Sequence, residues 1–326
     1  MRSPATSSSA SSSSSSTSRT RPERFRRCVS SLIPAVDHGC CHPDNTLWWG
    51  VRVPVSVGGV TATFTYESED LAGFGLDAFS LAGRTALVTG GNTGLGRAFS
   101  VALARAGADV HVVSLLADDG TTRELVKGCG RRYVETIADL TEPGACDAAV
   151  AECVERLGAL DVLVNSAGMC LTGGPEEFDR EPWDRMVAVN LTAAFELARA
   201  AGRHMVARGS GRIINIASLF SYLGGQGSPA YAATKHGIVG FTKAYCDELA
   251  GHGIGVNAIA PGYYATALTE RSRADEVTAA RILDHIPAGR WGDPRDLMGA
   301  LVFLASDASA YVNGHTLVVD GGYLVR

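Results

Sequence analysis

The stretch SPAYAATKHGIVGF, residues 228–241, carries a tyrosine and a lysine at a spacing that can support acid–base chemistry. Tyr231 and Lys235 are four positions apart, and on an α-helix this spacing returns both side chains to one face, about 6 Å apart along the axis. A tyrosine with a pKa of about 10 is a poor base at neutral pH. Lowering that pKa to about 7 requires roughly 4 kcal/mol, which one ammonium about 4 Å away supplies at an effective dielectric constant near 20. The pair is therefore a candidate general acid/base, although the same spacing also occurs on solvated helix faces.

Three glycines provide a second candidate site. The segment TALVTGGNTGLGRAFSVALARAGA places Gly90, Gly94 and Gly96 between a strand-like apolar run and a helical stretch. Glycines let the backbone turn tightly and approach a pyrophosphate closely, and the amino-terminal end of the following helix attracts the phosphate charge. The spacing differs from the common G-x-G-x-x-G motif. The strand before it and the helix after it nevertheless favour a dinucleotide site.

The residues after the second strand-like run bear on which dinucleotide binds. This run ends near Ser114, where an acidic residue would bind the adenosine ribose of NAD and a cation would bind the 2′-phosphate of NADP. The segment VVSLLADD has no arginine or lysine beside Ser114, and Asp118 and Asp119 would repel a phosphate. We therefore expect NAD rather than NADP, with Arg97 as the nearby cation that could reverse the preference.

The order of apolar runs predicts the fold. From about Phe79 onwards, short β-branched runs such as LDVLVNSAG, GRIINIAS and HTLVVDGG alternate with helix-length segments. This alternation is typical of an α/β protein with a Rossmann-type, doubly wound parallel sheet, whose ligands bind at the carboxyl ends of the strands. We predict one such domain over residues 77–326.

Residues 1–76 have a different composition and are predicted to be a separate extension. The serine tract at the amino terminus cannot build a core, so we expect it to be disordered. Residues 47–66 alternate around Gly58 and Gly59 and are compatible with a short hairpin. The Ser- and Arg-rich, acid-poor composition fits three interpretations: a transit peptide, a disordered tail, or an extension caused by a misplaced start codon.

Overall composition argues against several classes of function. A net charge of −5 is unfavourable for binding nucleic acid or an anionic membrane. The chain has no run of 18 apolar residues that would predict a transmembrane helix. Its eight cysteines show no C-x-x-C spacing that would indicate zinc, so we expect no metal site and a reduced, intracellular setting. We predict a cytoplasmic protein, with organellar targeting by the amino-terminal extension left open.

Together with NSAG at 165–168, these motifs follow the order seen in a known family. Residues from about 79 to 326 resemble the short-chain dehydrogenase/reductase family. The resemblance implies that Ser218 hydrogen-bonds the substrate oxygen and that Tyr231 is the general acid/base. It also implies that Lys235 binds the nicotinamide ribose and lowers the pKa of the tyrosine, and that Asn190 holds a water in the proton relay. The family's N-N-A-G motif is N-S-A-G here, which retains the first asparagine. The implied cofactor contacts are Gly90, Asn92, Gly94, Leu95, Gly96, Ser114, Asp139, Leu140, Asn165, Ala167, Gly168, Tyr231, Lys235, Pro261, Gly262 and Thr266.

The carboxyl-terminal segments RADE and ILDHIPAGRWG are similar to a subfamily, the 2-dehydro-3-deoxy-D-gluconate 5-dehydrogenases. This similarity implies hydride transfer between NAD and a CH–OH group of a deoxy sugar acid, in a homotetramer. Arg271, Arg273 and Arg281 are candidates for binding the carboxylate of such a substrate. Two alternatives stay open: a short-chain reductase of another carbonyl, such as a 3-oxoacyl carrier-protein thioester, and a non-catalytic dinucleotide-binding regulator.

Overall fold

The computed structural model describes residues 53–57, 60–64 and 75–326, apart from residues 175, 177 and 226. The serine tract, and with it the predicted disorder or transit peptide, lies outside the described residues. Within the segment for which a hairpin is expected, β1 (Val53–Val57) and β2 (Val60–Phe64) pair in antiparallel register. The boundary between extension and domain at residue 76 stays a prediction.

A seven-stranded sheet is the framework of the remaining residues, and all of its neighbouring strands are parallel. The spatial order is β5-β4-β3-β6-β7-β8-β9. The chain therefore moves outward from β3 on one side and returns to start again at β6 on the other. This reversal opens a crevice at the carboxyl ends of β3 and β6. The predicted Rossmann-type sheet is confirmed, and its strands are β3 Thr85–Thr89, β4 Asp109–Ser114, β5 Tyr133–Ile137, β6 Val162–Asn165, β7 Gly211–Ile216, β8 Ile254–Pro261 and β9 Thr316–Val319.

Helices cover both faces of this sheet. One face packs against α1 and α9, and the other packs against α3, α5 and α6. Five residues in π-helical geometry, Ala188–Thr192, join α4 to α5. The helices are α1 Gly94–Arg105, α2 Thr121–Gly128, α3 Ala145–Leu157, α4 Arg180–Val187, α5 Ala193–Arg208, α6 Pro229–Leu249, α7 Glu270–Ala274, α8 Glu276–His285 and α9 Met298–Ala305.

The core explains why the strands read as continuous apolar runs. Every residue of β3 is buried. Ala86 and Val88 belong to the apolar cluster on one face, whereas Leu87 belongs to the cluster on the other. Successive side chains of a strand point to opposite faces, so a sheet covered on both sides requires apolar residues at every position.

None of the helices in the described part of the chain is long and apolar enough to cross a membrane. Over those same residues, no three His, Cys, Asp or Glu side chains are grouped closely enough to hold a metal ion.

Candidate active site

Two cavities that share lining residues open at the carboxyl edge of the sheet. The larger has a volume of about 960 Å³ and lies at the ends of β4 and β5. The smaller, about 250 Å³, lies at the ends of β7 and β8. Gly90, Ala167 and Gly168 line both, so the cavities are two parts of one cleft. All the predicted cofactor contacts line this cleft except Asn165.

Asn165 is buried beside the cleft and serves the sheet instead. Its Nδ2 donates to the carbonyl oxygen of Ala194 at 3.2 Å and to Oδ1 of Asn215 at 2.9 Å. Asn215 in turn donates to the hydroxyl of Thr242 at 3.0 Å. This ladder joins β6, β7 and α6, and the contact of Asn165 with the cofactor stays a prediction. A buried polar side chain with these partners stabilises the strands that carry the site.

The glycine turn between β3 and α1 has the geometry of an anion site. Gly90 and Gly94 have positive φ angles of 62° and 50°, which favour glycine. A Cβ on Gly96 would overlap the carbonyl oxygen of Gly90, so only glycine allows this close approach. Among the described residues, the side chain of the N-cap residue Thr93 makes no capping hydrogen bond to α1. The first backbone N–H groups of the helix are therefore left to hold a phosphate.

The end of β4 gives a second indication that a dinucleotide fits. Ser114 is 6% exposed, and its hydroxyl has no hydrogen-bond partner among the described residues although it lines the larger cavity. Beside it, Nδ2 of Asn92 donates to the carbonyl oxygen of Leu116 at 2.6 Å, which ties the glycine turn to the segment after β4. A buried, unpaired hydroxyl calls for a polar ligand atom. A ribose hydroxyl supplies one, so the residues fit a dinucleotide.

Arg97 lies close to this end of the cleft through its hydrogen bond to Asn92, and its guanidinium is already engaged. Its Nε donates to the carbonyl oxygen of Asn92 at 2.9 Å and to the hydroxyl of Thr122 at 3.0 Å. Its Nη2 pairs with Asp119 at 2.9 Å and lies 3.9 Å from Asp118. Hydrogen bonds from Thr121, with help from Arg97, lower the pKa of Asp119 to about 2. The carboxylate therefore stays ionised and engages the guanidinium.

The turn after β6 is held by a residue that the sequence analysis did not single out. The hydroxyl of Thr89, at the end of β3, accepts hydrogen bonds from the backbone N–H groups of Ser166 at 3.0 Å and Ala167 at 2.9 Å. Thr89 is 1% exposed. It fixes Ala167 and Gly168 against the glycine turn. In the sequence, only the position of Thr89 immediately before Gly90 could have indicated this role.

Asn190 clamps the backbone that follows this turn. Its Oδ1 accepts from the N–H of Met169 at 2.9 Å, and its Nδ2 donates to the carbonyl oxygen of the same residue at 2.8 Å. A Cβ added to Gly168 would lie 3.3 Å from Asn190 Oδ1 and 3.8 Å from Lys235 Nζ, so both side chains lie close to this glycine. The π-helical turn directs Asn190 inward, and such turns are frequent at functional sites.

Ser218, Tyr231 and Lys235 meet at the smaller cavity. Ser218 follows β7, and its hydroxyl interacts with the phenol of Tyr231. Lys235 Nζ donates to the carbonyl oxygen of Ile216 at 2.6 Å and lies 5.5 Å from the centre of the Tyr231 ring. The predicted helix therefore does bring the two side chains to one place, beside the strand that supplies the serine.

The acid–base properties of this pair differ from the simple expectation. Burial raises the pKa of Tyr231 to about 12, and the interaction with Ser218 only partly opposes it. Burial also lowers the pKa of Lys235 to about 8. Bringing the phenol down to 7 requires about 7 kcal/mol, which exceeds the roughly 4 kcal/mol that one ammonium about 4 Å away supplies at a dielectric constant near 20. Desolvation therefore enlarges the shift that Lys235 has to supply with help from the positive nicotinamide, and this role of the lysine stays a prediction.

The comparisons with known proteins agree with this geometry. A short-chain dehydrogenase/reductase model described as enoyl-(acyl carrier protein) reductase matches residues 90–324, which is more than half of the chain. The chain is a short-chain dehydrogenase/reductase. The family resemblance inferred from the motifs is confirmed.

Relatives of this dehydrogenase include proteins with sugar-acid names. An oxidoreductase of Escherichia coli K12, YgcW, is 57% identical over 79% of the chain and 99% of its own length. The 2-dehydro-3-deoxy-D-gluconate 5-dehydrogenase of Bacillus subtilis is 50% identical over 77% of the chain and 98% of its own length. A crystal structure from Agrobacterium tumefaciens, described as a 2-deoxy-D-gluconate 3-dehydrogenase with bound NADP, is 44% identical. It has a TM-score of 0.72 and covers 76% of this chain and 99% of its own. The similarity to this subfamily is thus confirmed.

The larger cavity of the dehydrogenase is also lined by charged residues that sequence reasoning missed. Arg180, Glu181, Asp184 and Arg185 lie along α4, at the same cavity as Asp139. Hydrogen bonds from Thr141 lower the pKa of Asp139, with a smaller contribution from the charge of Arg185. No motif marks α4 in the sequence, because its contact with the cleft depends only on how it packs.

Proposed function

We propose that this short-chain dehydrogenase/reductase transfers a hydride between a nicotinamide dinucleotide and a secondary alcohol or ketone of a gluconate-type sugar acid, in the manner of a 2-dehydro-3-deoxy-D-gluconate 5-dehydrogenase. The observation that carries the proposal is the meeting of Ser218, Tyr231 and Lys235 at the smaller cavity, immediately beside the glycine turn. The sugar-acid names of relatives that are 44–50% identical support the substrate class.

In this mechanism Tyr231 moves the proton and Ser218 orients the substrate oxygen. The nicotinamide, when bound, supplies or accepts the hydride. In the reducing direction, the raised pKa keeps Tyr231 protonated at neutral pH, so it is ready to donate to the developing alkoxide. In the oxidising direction, Tyr231 takes the hydroxyl proton, and the resulting phenolate needs nearby positive charge.

Lys235 supplies part of that charge. Because its pKa of about 8 lies above neutral, it remains mostly protonated. Its Nζ is anchored on the carbonyl oxygen of Ile216, which fixes the ammonium close to Tyr231. The positive charge of an oxidised nicotinamide adds to it, and both favour the phenolate. The proposed roles of the lysine are therefore to hold the nicotinamide ribose and to stabilise the phenolate.

NAD is our proposal for the preferred dinucleotide, on the basis of the ribose end of the cleft. The side chain of Ser114 is neutral, and Arg97 is paired with Asp119. The relatives favour the other choice, since three solved structures contain NADP. The ratio of kcat/KM for NAD and NADP decides between the two, and a clear preference for NADP would overturn this part of the proposal.

Turnover of defined substrates tests the main proposal. The purified enzyme should change the NADH or NADPH absorbance with 2-dehydro-3-deoxy-D-gluconate or a gluconate, and not with a 3-oxoacyl thioester. Tyr231→Phe should lose turnover while it still binds the dinucleotide, since only the hydroxyl is removed. Substantial turnover by that variant would exclude Tyr231 as the general acid/base. Dinucleotide binding by the wild type without turnover of any carbonyl would favour the regulator instead.

Three further expectations remain proposals. We place the catalytic unit at residues 77–326 and expect it to be a homotetramer in the cytoplasm. A chain that begins near residue 77 should retain full turnover, and light scattering should give four times the mass of one chain. Loss of activity on truncation would give the extension a role in the enzyme.

A further inference from the structure

A short helical turn follows β7 and begins at Ser218. Leu219–Ser221 form one turn of 3₁₀ geometry, and Ser218 caps its amino terminus in an extended conformation. We call residues 218–221 the serine turn. The hydroxyl of Ser218 accepts a hydrogen bond from the backbone N–H of Phe220 at 3.2 Å. This bond holds the hydroxyl oxygen in place and leaves its O–H as a donor.

Ser221 joins the serine turn to α6. It is 6% exposed, and its hydroxyl accepts a hydrogen bond from the backbone N–H of Ser218 at 3.3 Å. The same hydroxyl donates to the backbone carbonyl oxygen of Lys235 at 2.6 Å. A serine hydroxyl can donate one hydrogen bond while it accepts another, so it can make both bonds at once. One buried hydroxyl thus bridges the backbones of Ser218 and Lys235.

The two members of the tyrosine–lysine pair are both in contact with this region. The ring of Phe220 packs edge-on against the ring of Tyr231, with the ring centres 5.7 Å apart. Lys235 Nζ donates to the carbonyl oxygen of Ile216, the last residue of β7, at 2.6 Å. The serine turn therefore contacts α6 at both residues of the pair, through Phe220 at Tyr231 and through Ser221 at Lys235.

We propose that Ser221 is a positioning residue that holds Ser218 in register with Tyr231 and Lys235. This inference rests on the proposed function, because it needs Ser218 to orient the substrate oxygen. Ser221 is not among the described residues that line the two parts of the cleft, so it acts through Ser218. Without its hydroxyl, the backbones of Ser218 and Lys235 lose their common partner. A catalytic group displaced by about 1 Å can lower the rate about 100-fold.

Ser221→Ala and Ser221→Cys test the positioning role. Both remove the hydroxyl, and cysteine keeps nearly the same side-chain volume although its thiol is only a weak donor. For each variant, kcat is measured with 2-dehydro-3-deoxy-D-gluconate, or with another carbonyl if the wild type prefers it. Fluorescence titration with NADH gives the Kd of the dinucleotide. We expect kcat to fall about 10- to 100-fold in both variants, while the Kd stays unchanged because the glycine turn is untouched.

The pH profile is a measurement that a loss of stability alone would not shift. Burial raises the pKa of Tyr231, and the interaction with Ser218 partly opposes this rise. A displaced Ser218 would stabilise the phenolate less, so the pKa of Tyr231 would rise further. In the oxidising direction the rising limb of kcat should therefore move to higher pH in both variants. The other titratable groups near this phenol, Cys170, Tyr263 and Lys235, are the same in every variant.

Ser309→Ala is the matched control. Ser309 is also the third residue of a three-residue 3₁₀ turn, Asp307–Ser309, and it is 2% exposed. Its hydroxyl donates to the backbone carbonyl oxygen of Leu304 at 3.2 Å. Like Ser221, it is not among the described residues that line the cleft. Ser309→Ala should lose stability in urea much as Ser221→Ala does, and it should keep the kcat and the pH profile of the wild type.

The possible results separate this inference from the proposed function. If the wild type turns over a carbonyl substrate and Ser221→Ala keeps its kcat, the positioning role is refuted and the proposed function stands. An equal loss of kcat in Ser309→Ala, or failure of both Ser221 variants to fold, would also refute it, because the hydroxyl would then serve only stability. If the wild type binds the dinucleotide but turns over no carbonyl, the proposed function fails, and the inference fails with it.

Discussion

Replacing Gly96 by alanine tests whether the glycine turn is the anion site of the cleft. The added Cβ would overlap the carbonyl oxygen of Gly90, so the turn has to move. Overpacking of this kind costs about 1–3 kcal/mol, which outweighs the gain of up to about 1 kcal/mol that alanine brings to a helix. Net stability should therefore fall by about 1–2 kcal/mol. Moving a precisely positioned group by about 1 Å can lower the rate of an enzymatic step by about 100-fold. A displaced glycine turn should likewise bind the pyrophosphate less well, so the Kd of the dinucleotide should rise at least about 10-fold.

Gly128→Ala is the matched control. This glycine also lies in a helix, but a Cβ there would meet no atom within 4 Å. The control variant should be as stable as the wild type or slightly more stable, with unchanged dinucleotide binding. Urea unfolding gives the free energy of unfolding, and fluorescence titration with NADH gives the Kd. If Gly96→Ala matched the control in both measurements, the close approach in the turn would have no part in binding.

Three further outcomes follow from the same cleft. Tyr231→Phe should lose turnover and keep the Kd of the dinucleotide, as titration alongside the activity assay will show; coupled loss of both would indicate a structural defect. Asp119→Ala removes the 2.9 Å ion pair of Arg97 and a negative charge near the ribose end, while Asn92 and Thr122 still hold Nε of Arg97. The kcat/KM ratio of NADP to NAD should therefore rise by about 10-fold or more; an unchanged ratio would show that this ion pair does not determine the choice of dinucleotide. Burial lowers the pKa of Lys235 to about 8. Between pH 8 and about 10.4 the unfolded state therefore binds more protons at this lysine than the folded state does. The contribution of Lys235 to the free energy of unfolding consequently rises with pH over this range. The wild type should therefore gain about 2 kcal/mol relative to Lys235→Met between pH 8 and 9.5 in urea unfolding, and parallel pH profiles would refute the lowered pKa.

Local patterns in the sequence were enough to predict the fold and most of the cleft. The alternation of apolar runs and helical segments identified the parallel sheet, because a sheet covered on both faces accepts apolar residues at every strand position. Ser114 was placed at the end of a strand by the same reasoning, and it lies at the end of β4. The glycine turn was recognised because only glycine permits its backbone geometry.

Other features depended on contacts between distant parts of the chain. The hydrogen bond of Asn165 is an example, because its partner Asn215 lies 50 positions later in the chain. Thr89 was not singled out, since its bonds run to residues 77 and 78 positions away. The segment α4 lines the larger cavity without any motif of its own.

The sequence by itself determined the type of protein: a Rossmann-type sheet, a glycine turn, and a tyrosine and lysine one helical turn apart. These are local properties, set by backbone sterics and by the periods of helix and strand. Only the tertiary structure decided the electrostatics. The pKa of Tyr231 is raised to about 12 because the folded chain removes water from the phenol. Desolvation and the direction of a side chain depend on neighbours that are distant along the chain, which no local pattern records.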